Sequence, residues 1–198
     1  MDAASILASV KAAVPGAEIA AVPAADRPTF VTAREHLLEV CRVLRDRDDL
    51  RFTVLTDMTA VDRWPAEPRF ELICHALSPD RGVALRLKVP LDGSDPHAPT
   101  VSGIWPSAGW LEREIWDLFG IAFDDHPDLR RLLMPEDWEG HPLRKDYPVQ
   151  IRMTPKVFEP LQMTADEFRA RLEADRHVRT GSDRTGNRVR TGPGEGGD

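Results

Sequence analysis

Cysteine, tyrosine and long apolar runs are all scarce in this chain of 198 residues. There is one tyrosine, and there are two cysteines, Cys41 and Cys74. Neither cysteine belongs to a Cys-x-x-Cys pair, and two thiolates cannot supply the four that an iron–sulfur cluster usually takes. Cys41 falls on the apolar side of a predicted helix and Cys74 in a predicted strand. We therefore interpret both as small core residues of a protein in a reducing, cytosolic compartment.

The apolar runs and the net charge exclude two further classes. No run approaches the roughly 20 apolar residues of a transmembrane helix, so we expect any membrane association to come through a protein partner. Lys and Arg number 26 against 33 Asp and Glu, a formal net charge of −7. That balance argues against general attraction to nucleic acid or to anionic lipid.

Sequence motifs typical of catalytic, metal-binding or nucleotide-binding sites are also missing. The six histidines form no His-x-x-x-His pair and no His/Cys cluster of metal-ligand spacing. There is no Gly-x-Gly-x-x-Gly or phosphate-binding loop. Glu112 and Glu114 diverge on a predicted helix, so they do not converge as an acid/base pair. We expect no catalytic residue, no metal site and no cofactor site in this chain.

What is present predicts an α+β fold. A first helix follows from Ile6, Leu7 and Val10 at helical spacing. A second helix would begin with a capping box of Thr32 and Glu35. Five strands are predicted at residues 17–22, 29–33, 52–61, 70–77 and 83–89. Short links rich in Pro, Gly and Asp favour hairpins, so we expect a two-layer domain with helices on one face of a mainly antiparallel sheet.

This domain is predicted to span residues 1–125. Two further segments are predicted to follow it. Residues 126–180 are interpreted as an extended docking arm, which prolines stiffen, followed by a short helix. That helix would begin with a capping box of Thr164 and Glu167, and its only strong apolar residues are Phe168 and Leu172. Residues 181–198 contain six glycines and one large aliphatic residue, a composition typical of a disordered tail.

A third predicted helix precedes the arm. Its inward stripe would be Leu111, Ile115, Leu118 and Phe119, capped by Ser107 and ended by Gly120. Trp110 and Trp116 lie off that stripe on opposite flanks. Either they cover edges of the domain's own sheet, or a second protein buries them, as the enrichment of tryptophan at interfaces suggests.

Charges of both signs alternate along the arm. From residue 126 to residue 147 there are four basic and five acidic residues, a net charge of −1. Dense, balanced charge beside Trp138 and Tyr147 favours docking on protein over binding of nucleic acid, which needs excess positive charge. A solvated surface loop is the simpler alternative.

Residues 112–148 also match a known family pattern. The matching residues are Glu112-Arg113-Glu114, Asp117-Leu118-Phe119, His126, Arg130, Leu132-Leu133, Asp137-Trp138 and the run Gly140-His141-Pro142-Leu143-Arg144-Lys145-Asp146-Tyr147-Pro148. This pattern resembles the C subunit of the proton-pumping NADH–quinone oxidoreductase, the 30 kDa subunit family of respiratory complex I. The resemblance covers about residues 28–165, and it is strongest from Glu112 to Pro148.

The resemblance implies a subunit of an enzyme that transfers electrons from NADH to a quinone such as ubiquinone and translocates protons. It implies no cofactor in this chain, with the iron–sulfur clusters and FMN in partner subunits. The expected partners are the quinone-site D subunit, as a separate polypeptide, and neighbouring iron–sulfur subunits, at the cytoplasmic side of the cell (inner) membrane. The expected partner-binding residues are Glu112, Arg113, Glu114, Trp116, Asp117, His126, Arg130, Arg131, Trp138, His141, Arg144, Lys145, Asp146 and Tyr147.

Two alternatives stay open. The chain could be the equivalent subunit of a related membrane-bound hydrogenase or of a complex with another electron donor, because other subunits choose the donor. It could also be a free-standing binding module unrelated to respiration.

Overall fold

The structure is a computed structural model that describes residues 2–148 and 164–180, with the side chains included up to residue 173. Contacts divide the chain into two compact units, Met1–Gln150 and Ile151–Asp198. The arm predicted at residue 126 therefore belongs, as far as residue 148, to the same unit as the α+β domain. The predicted disordered tail at residues 181–198 lies outside the described residues.

Over residues 2–148, the first unit contains a five-stranded sheet, a two-stranded sheet and three α-helices. In chain order the elements are α1 (Ala3–Ala13), β1 (Ile19–Val22), β2 (Thr29–Thr32), α2 (Leu37–Asp46), β3 (Val54–Asp62), β4 (Phe70–Ser78), β5 (Val83–Leu91), β6 (His97–Pro99), α3 (Ala108–Phe119) and β7 (Ala122–Asp124). The large sheet has the order β1-β2-β5-β4-β3. Only the β2–β5 pair in it is parallel, which confirms the prediction of a mainly antiparallel sheet.

One face of the large sheet forms the core. Along β4 every second residue is buried, from Phe70 to Ser78, and the residues between them are half-buried. The buried residues of α1 and α2 belong to the same hydrophobic cluster as those of β4 and β5. Period-2 burial is typical of a strand with one face on the core, and together with the packed helices it confirms the α+β class.

The start of α2 differs from the prediction. Thr32 and Glu35 form no capping box; a 3-10 turn at Arg34–His36 leads into the helix, and no side chain caps it. The reason is that β2 extends through Thr32 and turns that side chain into the core, where its hydroxyl has no hydrogen-bond partner among the described residues. Ser107 does not cap α3 either, because its hydroxyl donates to the Leu55 carbonyl at 3.4 Å.

The short parallel pair β6–β7 was not predicted. It joins His97–Pro99 to Ala122–Asp124 and so ties the end of α3 to the loop that precedes that helix. Three-residue strands carry too few alternating positions to be recognised in a sequence.

The second unit is described over one helix, α4 (Ala165–Thr180). Its predicted capping box forms, since the Thr164 hydroxyl accepts from the Glu167 N–H at 3.3 Å and the Glu167 carboxylate accepts from the Thr164 N–H at 2.8 Å. Phe168 and Leu172 are each 52% exposed. The helices within residues 2–148 and 164–180 include no candidate for a membrane-crossing segment.

Two leucines of β4 test the assignment of the core face. Leu72 is fully buried, whereas Leu77 lies on the opposite face of the same strand and is half-buried. We predict that Leu72→Ala lowers the free energy of unfolding by about 2–5 kcal/mol, as for other buried leucines, and that Leu77→Ala lowers it clearly less. Urea denaturation of both variants measures this, and equal losses would contradict the assigned faces.

Candidate interaction site: helix α3 and the arm

Helix α3 turns polar as well as apolar side chains inward. Of the predicted stripe, only Ile115 is fully buried, while Leu111, Leu118 and Phe119 are half-buried. Glu112, Arg113 and Asp117 are buried instead. Arg113 and Asp117 are covered because the arm, defined here as residues 126–148, folds back along the helix. Glu112 is bound by Thr100 and Val101, and His126 of the arm lies beside it.

Asp117 makes the densest set of contacts to the arm. Its Oδ2 accepts from three consecutive backbone N–H groups, those of Leu132, Leu133 and Met134, at 3.0, 2.7 and 2.8 Å. Its Oδ1 accepts from the Arg131 guanidinium at 2.7 Å. Burial raises the pKa of Asp117, but these N–H groups and Arg131 outweigh burial, so the pKa lies below its ordinary value.

Arg131 extends this contact to the next turn of the arm. Its guanidinium donates to the carbonyls of Trp138 and Gly140 at 2.8 and 3.1 Å, and its carbon lies 5.8 Å from the Trp116 ring centroid. The side chain is only 15% exposed. Arg131 thus joins the middle of the arm to α3 and is an internal residue of the domain.

The carbonyl end of α3 is also capped by the arm. His141 Nδ1 lies 3.0 Å from the Asp117 carbonyl, and Arg144 Nε donates to the Phe119 carbonyl at 2.6 Å. Gly120 ends the helix at a φ of 73°, and a Cβ there would lie 2.5 Å from the His141 ring. Only glycine allows both this backbone conformation and this close ring contact.

A second carboxylate holds the far end of the arm. Asp62, at the end of β3, accepts from the Lys145 N–H at 2.8 Å and from the Arg69 guanidinium at 3.0 and 2.9 Å. Arg69 also donates to Asp146 at 3.0 and 2.6 Å. Burial raises the pKa of Asp62, but Arg69 and the N–H groups of Lys145 and Trp64 outweigh it and hold the pKa well below its ordinary value.

A third carboxylate lies at the start of the arm. Glu112 is fully buried and accepts from the Thr100 hydroxyl at 2.5 Å and from the Val101 N–H at 2.7 Å. Its Oε2 lies 3.7 Å from His126 Nε2. Burial raises the pKa of Glu112 above its ordinary value, and the hydrogen bonds from Thr100 and Val101 only partly oppose the rise.

The predicted partner-binding residues therefore divide into two groups. The side chains of one group bind other parts of this domain: Glu112, Arg113, Asp117, His126, Arg131, His141, Arg144, Asp146 and Tyr147. The other group is exposed or half-exposed: Glu114, Trp116, Arg130, Trp138 and Lys145. In the second group, Trp116 also contacts the Arg131 guanidinium and the His141 ring, and Arg130 pairs with Asp128. For both groups the role at an interface stays a prediction.

Some residues of the site escaped the sequence analysis. Asp62 and Arg69 are separated from the arm by many residues, so no local pattern links them to Asp146. Leu133 and Leu143 match the family pattern, yet they are 59% and 50% exposed, and Trp110 is 62% exposed. An exposed leucine between polar residues could have indicated an outer apolar surface. The described residues contain no group of three or more His, Cys, Asp or Glu side chains arranged to hold a metal ion.

Comparison with known proteins identifies the family. The sequence profile of the respiratory-chain NADH dehydrogenase 30 kDa subunit family matches residues 30–152. The chain belongs to this family.

Among individual proteins, the chain is 42% identical over 149 residues to the NADH-quinone oxidoreductase C subunit of Roseiflexus sp., covering 75% of this chain and 86% of that protein. It is 48% identical over 122 residues to the C subunit of Citrifermentans bemidjiense, covering 62% and 74% respectively.

Two solved structures are similar. A trypsin-resistant fragment (1-134) of Nqo5 superposes with a TM-score of 0.53 at 30% identity, covering 65% of this chain and all of the fragment. A chain of the membrane-bound sulfane sulfur reductase, an archaeal respiratory membrane complex, superposes with a TM-score of 0.62 at 24% identity, covering 81% and 98% respectively. The similarity to this second structure shows only that the fold is shared.

Arg130 and Arg131 test the internal role of the arm. Arg131 is paired with the buried Asp117, whereas Arg130 is 71% exposed and pairs with Asp128. We predict that Arg131→Ala lowers the free energy of unfolding by about 3 kcal/mol, because a buried carboxylate loses its cation. Arg130→Ala should change it by about 0.5 kcal/mol or less. Urea denaturation and amide exchange at residues 132–134 measure the difference, and equal effects would refute the internal role.

The lowered pKa of Asp117 predicts a pH dependence of stability. A carboxylate whose pKa is lower in the folded than in the unfolded state stabilises the fold fully above the unfolded value, about 3.9 for Asp, and less as the pH falls through the folded value. We predict that Asp117→Asn is destabilised relative to the wild type near pH 7 and that the gap narrows below about pH 4. Urea denaturation across this range measures it. A gap that does not change with pH would show that Asp117 acts through its shape and not its charge.

Proposed function

We propose that this chain serves as the 30 kDa C subunit of an NADH–quinone oxidoreductase and has no redox chemistry of its own. The observation that carries this proposal is the family match across residues 30–152, which includes α3 and the whole arm. Relatives at 42% and 48% identity bear the name of that subunit. In this role the chain would support the complex that passes electrons from NADH to quinone with proton translocation.

The surface that α3 and the arm present fits a docking role. Trp110, Leu133 and Leu143 are each at least half exposed, although their backbone is ordered. Trp110 lies in α3, the Leu133 N–H donates to Asp117, and the Leu143 N–H donates to the Leu118 carbonyl. Large apolar side chains on ordered backbone bind with a small loss of conformational entropy. We call Trp110, Leu133 and Leu143 the α3–arm surface and assign it to the partner.

The partner of this surface is proposed to be the quinone-site D subunit, as a separate polypeptide, with iron–sulfur subunits nearby. The iron–sulfur clusters and FMN would all lie in those partners. The complex would hold this chain at the cytoplasmic side of the cell membrane. Phe168 and Leu172 of α4 offer a second small apolar stripe for the same assembly.

A complex with a different electron donor is the second candidate. The fold recurs in a sulfane sulfur reductase complex, so the fold by itself does not select NADH. The substrate that the purified assembly oxidises distinguishes the two candidates, since this chain would serve the same supporting role in either.

Co-purification tests both the function and the surface. When an affinity-tagged chain is purified in mild detergent, we predict that the quinone-site D subunit, iron–sulfur clusters and NADH-dependent quinone reduction accompany it. The double variant Leu133→Ser/Leu143→Ser should keep the melting temperature of the isolated chain, because both side chains are exposed, and should lose most of the bound D subunit. Val54→Ser, a variant of a residue that is 40% exposed on β3, is the matched control.

Two results would overturn different parts of this proposal. A wild-type purification without any quinone-reducing activity would contradict the proposed function. Full recovery of the D subunit by the double leucine variant would show that the interface lies elsewhere on the chain.

A further inference from the structure

Two neighbouring cations at the far end of the arm have no carboxylate partner. Within the described residues, no Asp or Glu oxygen lies within salt-bridge distance of the Arg144 guanidinium or the Lys145 ammonium group. Asp62 and Asp146, the carboxylates of this region, bind Arg69 instead, at 2.9 and 2.6 Å. Arg69 is the main cause of the lowered pKa of Asp146, and Arg144 contributes only as a more distant charge.

The backbone that carries the two cations is ordered. The N–H groups of residues 143, 144 and 145 donate to the Leu118 carbonyl at 3.0 Å, the His141 carbonyl at 3.2 Å and the Asp62 carboxylate at 2.8 Å, respectively. Three consecutive N–H groups are thus tied to α3, to the arm itself and to β3. A ligand that binds here therefore has little backbone to order.

The Arg144 guanidinium is also held in place. Its Nε donates to the Phe119 carbonyl at 2.6 Å, and its carbon lies 5.3 Å from the Phe70 ring centroid. In the described part of the chain, neither terminal nitrogen of this guanidinium has a hydrogen-bond partner. A fixed guanidinium with two terminal donors to spare is suited to a carboxylate, which can accept from both at once.

Apolar side chains flank these cations. Leu143 is 50% exposed and Trp64 is 49% exposed. The Arg69 guanidinium lies 4.8 Å from the ring centroids of both Trp64 and Phe70, so it joins the Trp64 side of this region to the Arg144 side. We call Trp64, Leu143, Arg144 and Lys145 the far-end patch. It extends the α3–arm surface, to which Leu143 also belongs.

We propose that the far-end patch binds an acidic segment of the protein partner, with an Asp or Glu carboxylate at Arg144 and Lys145 and apolar side chains against Leu143 and Trp64. This inference rests on the proposed function, since it states the chemistry of the D-subunit segment that meets the α3–arm surface. Opposite charges at the edge of an apolar contact fix its register and raise the rate of association.

The composition of the patch favours protein over an anionic membrane. Recognition of anionic lipid takes clusters of about four to eight Lys or Arg residues. The far-end patch supplies two, and the whole chain carries a net charge of −7, which repels an anionic surface as a whole.

Zero-length cross-linking of the purified assembly tests the contact directly. A carbodiimide joins an amine to a carboxylate where the two are in contact, so we expect Lys145 to be linked to an Asp or Glu of a partner subunit. Lys11, an exposed lysine of α1, is the internal control and should give no such product. A Lys145 peptide that stays unlinked in the intact assembly, or is linked no more than Lys11, would overturn the inference.

Charge variants test the contribution to binding. Affinity for the purified quinone-site D subunit is measured for Lys145→Gln, Lys145→Glu and the matched control Lys11→Glu. We expect losses of about threefold and about tenfold for the two Lys145 variants and none for the control. The losses should shrink when salt is raised from about 0.05 M to about 0.5 M. Equal affinities of Lys145→Glu and Lys11→Glu would contradict the acidic partner.

The fold is not at risk in this comparison. Lys145 is exposed, and the contact that it makes to Asp62 comes from its backbone N–H, which every variant keeps. Both Lys145 variants should therefore retain the wild-type melting temperature.

Failure of this inference and failure of the proposed function give different results. Wild-type affinity of Lys145→Glu for the D subunit would overturn the inference and leave the proposed function intact. A wild-type chain that neither binds the D subunit nor co-purifies with quinone-reducing activity would contradict the proposed function, and the Lys145 cross-link in the assembly that does form would still decide the inference. Binding of the isolated chain to vesicles of phosphatidylcholine and phosphatidylglycerol, lost in Lys145→Glu, would assign the patch to a membrane and overturn the inference.

Discussion

The conformation of the arm depends on the Asp117 carboxylate more than on any other group. One of its oxygens accepts from three consecutive backbone N–H groups of the arm, and the other accepts from Arg131. Charge-assisted hydrogen bonds of this kind are stronger than neutral ones. A proline-rich segment with little apolar surface could not otherwise stay folded against α3, because burial of apolar area would not offset the entropy lost on ordering it.

The contacts of Asp117 with the arm give a different interpretation of a short stretch that is rich in polar residues. Many polar residues in one short stretch suggest contacts to another molecule, and that was the expectation for Asp117, Arg131 and His141. In the structure these side chains hydrogen-bond to each other and to the chain's own backbone. A small number of apolar residues stay exposed, among them Leu133 and Leu143. The polar residues therefore determine the shape of the outer surface, and the exposed apolar residues provide its apolar area.

The sequence was sufficient to predict the sheet, but it was not sufficient to predict how the arm folds. In β5, Val83, Leu85, Leu87 and Val89 alternate with Ala84, Arg86 and Lys88, a pattern that reports burial of one face directly, so this strand could be predicted. The stripe on α3 was predicted from apolar residues alone, which excluded Glu112 and Asp117 from the inner face. Their burial depends on partners such as Val101 and Leu132, which are far from them along the chain. The periodicity of apolar residues within the helix cannot reveal such partners.

The bond between Asp62 and the Lys145 N–H spans 83 residues of chain. A contact of that sequence separation closes a large loop, which costs more chain entropy than a local contact. During synthesis, the residues of β3 and β4 are made well before residue 145. The far end of the arm can therefore take its final place only on a finished sheet. A chain that ends before residue 145 would lack the contact that ties the far end of the arm to the sheet.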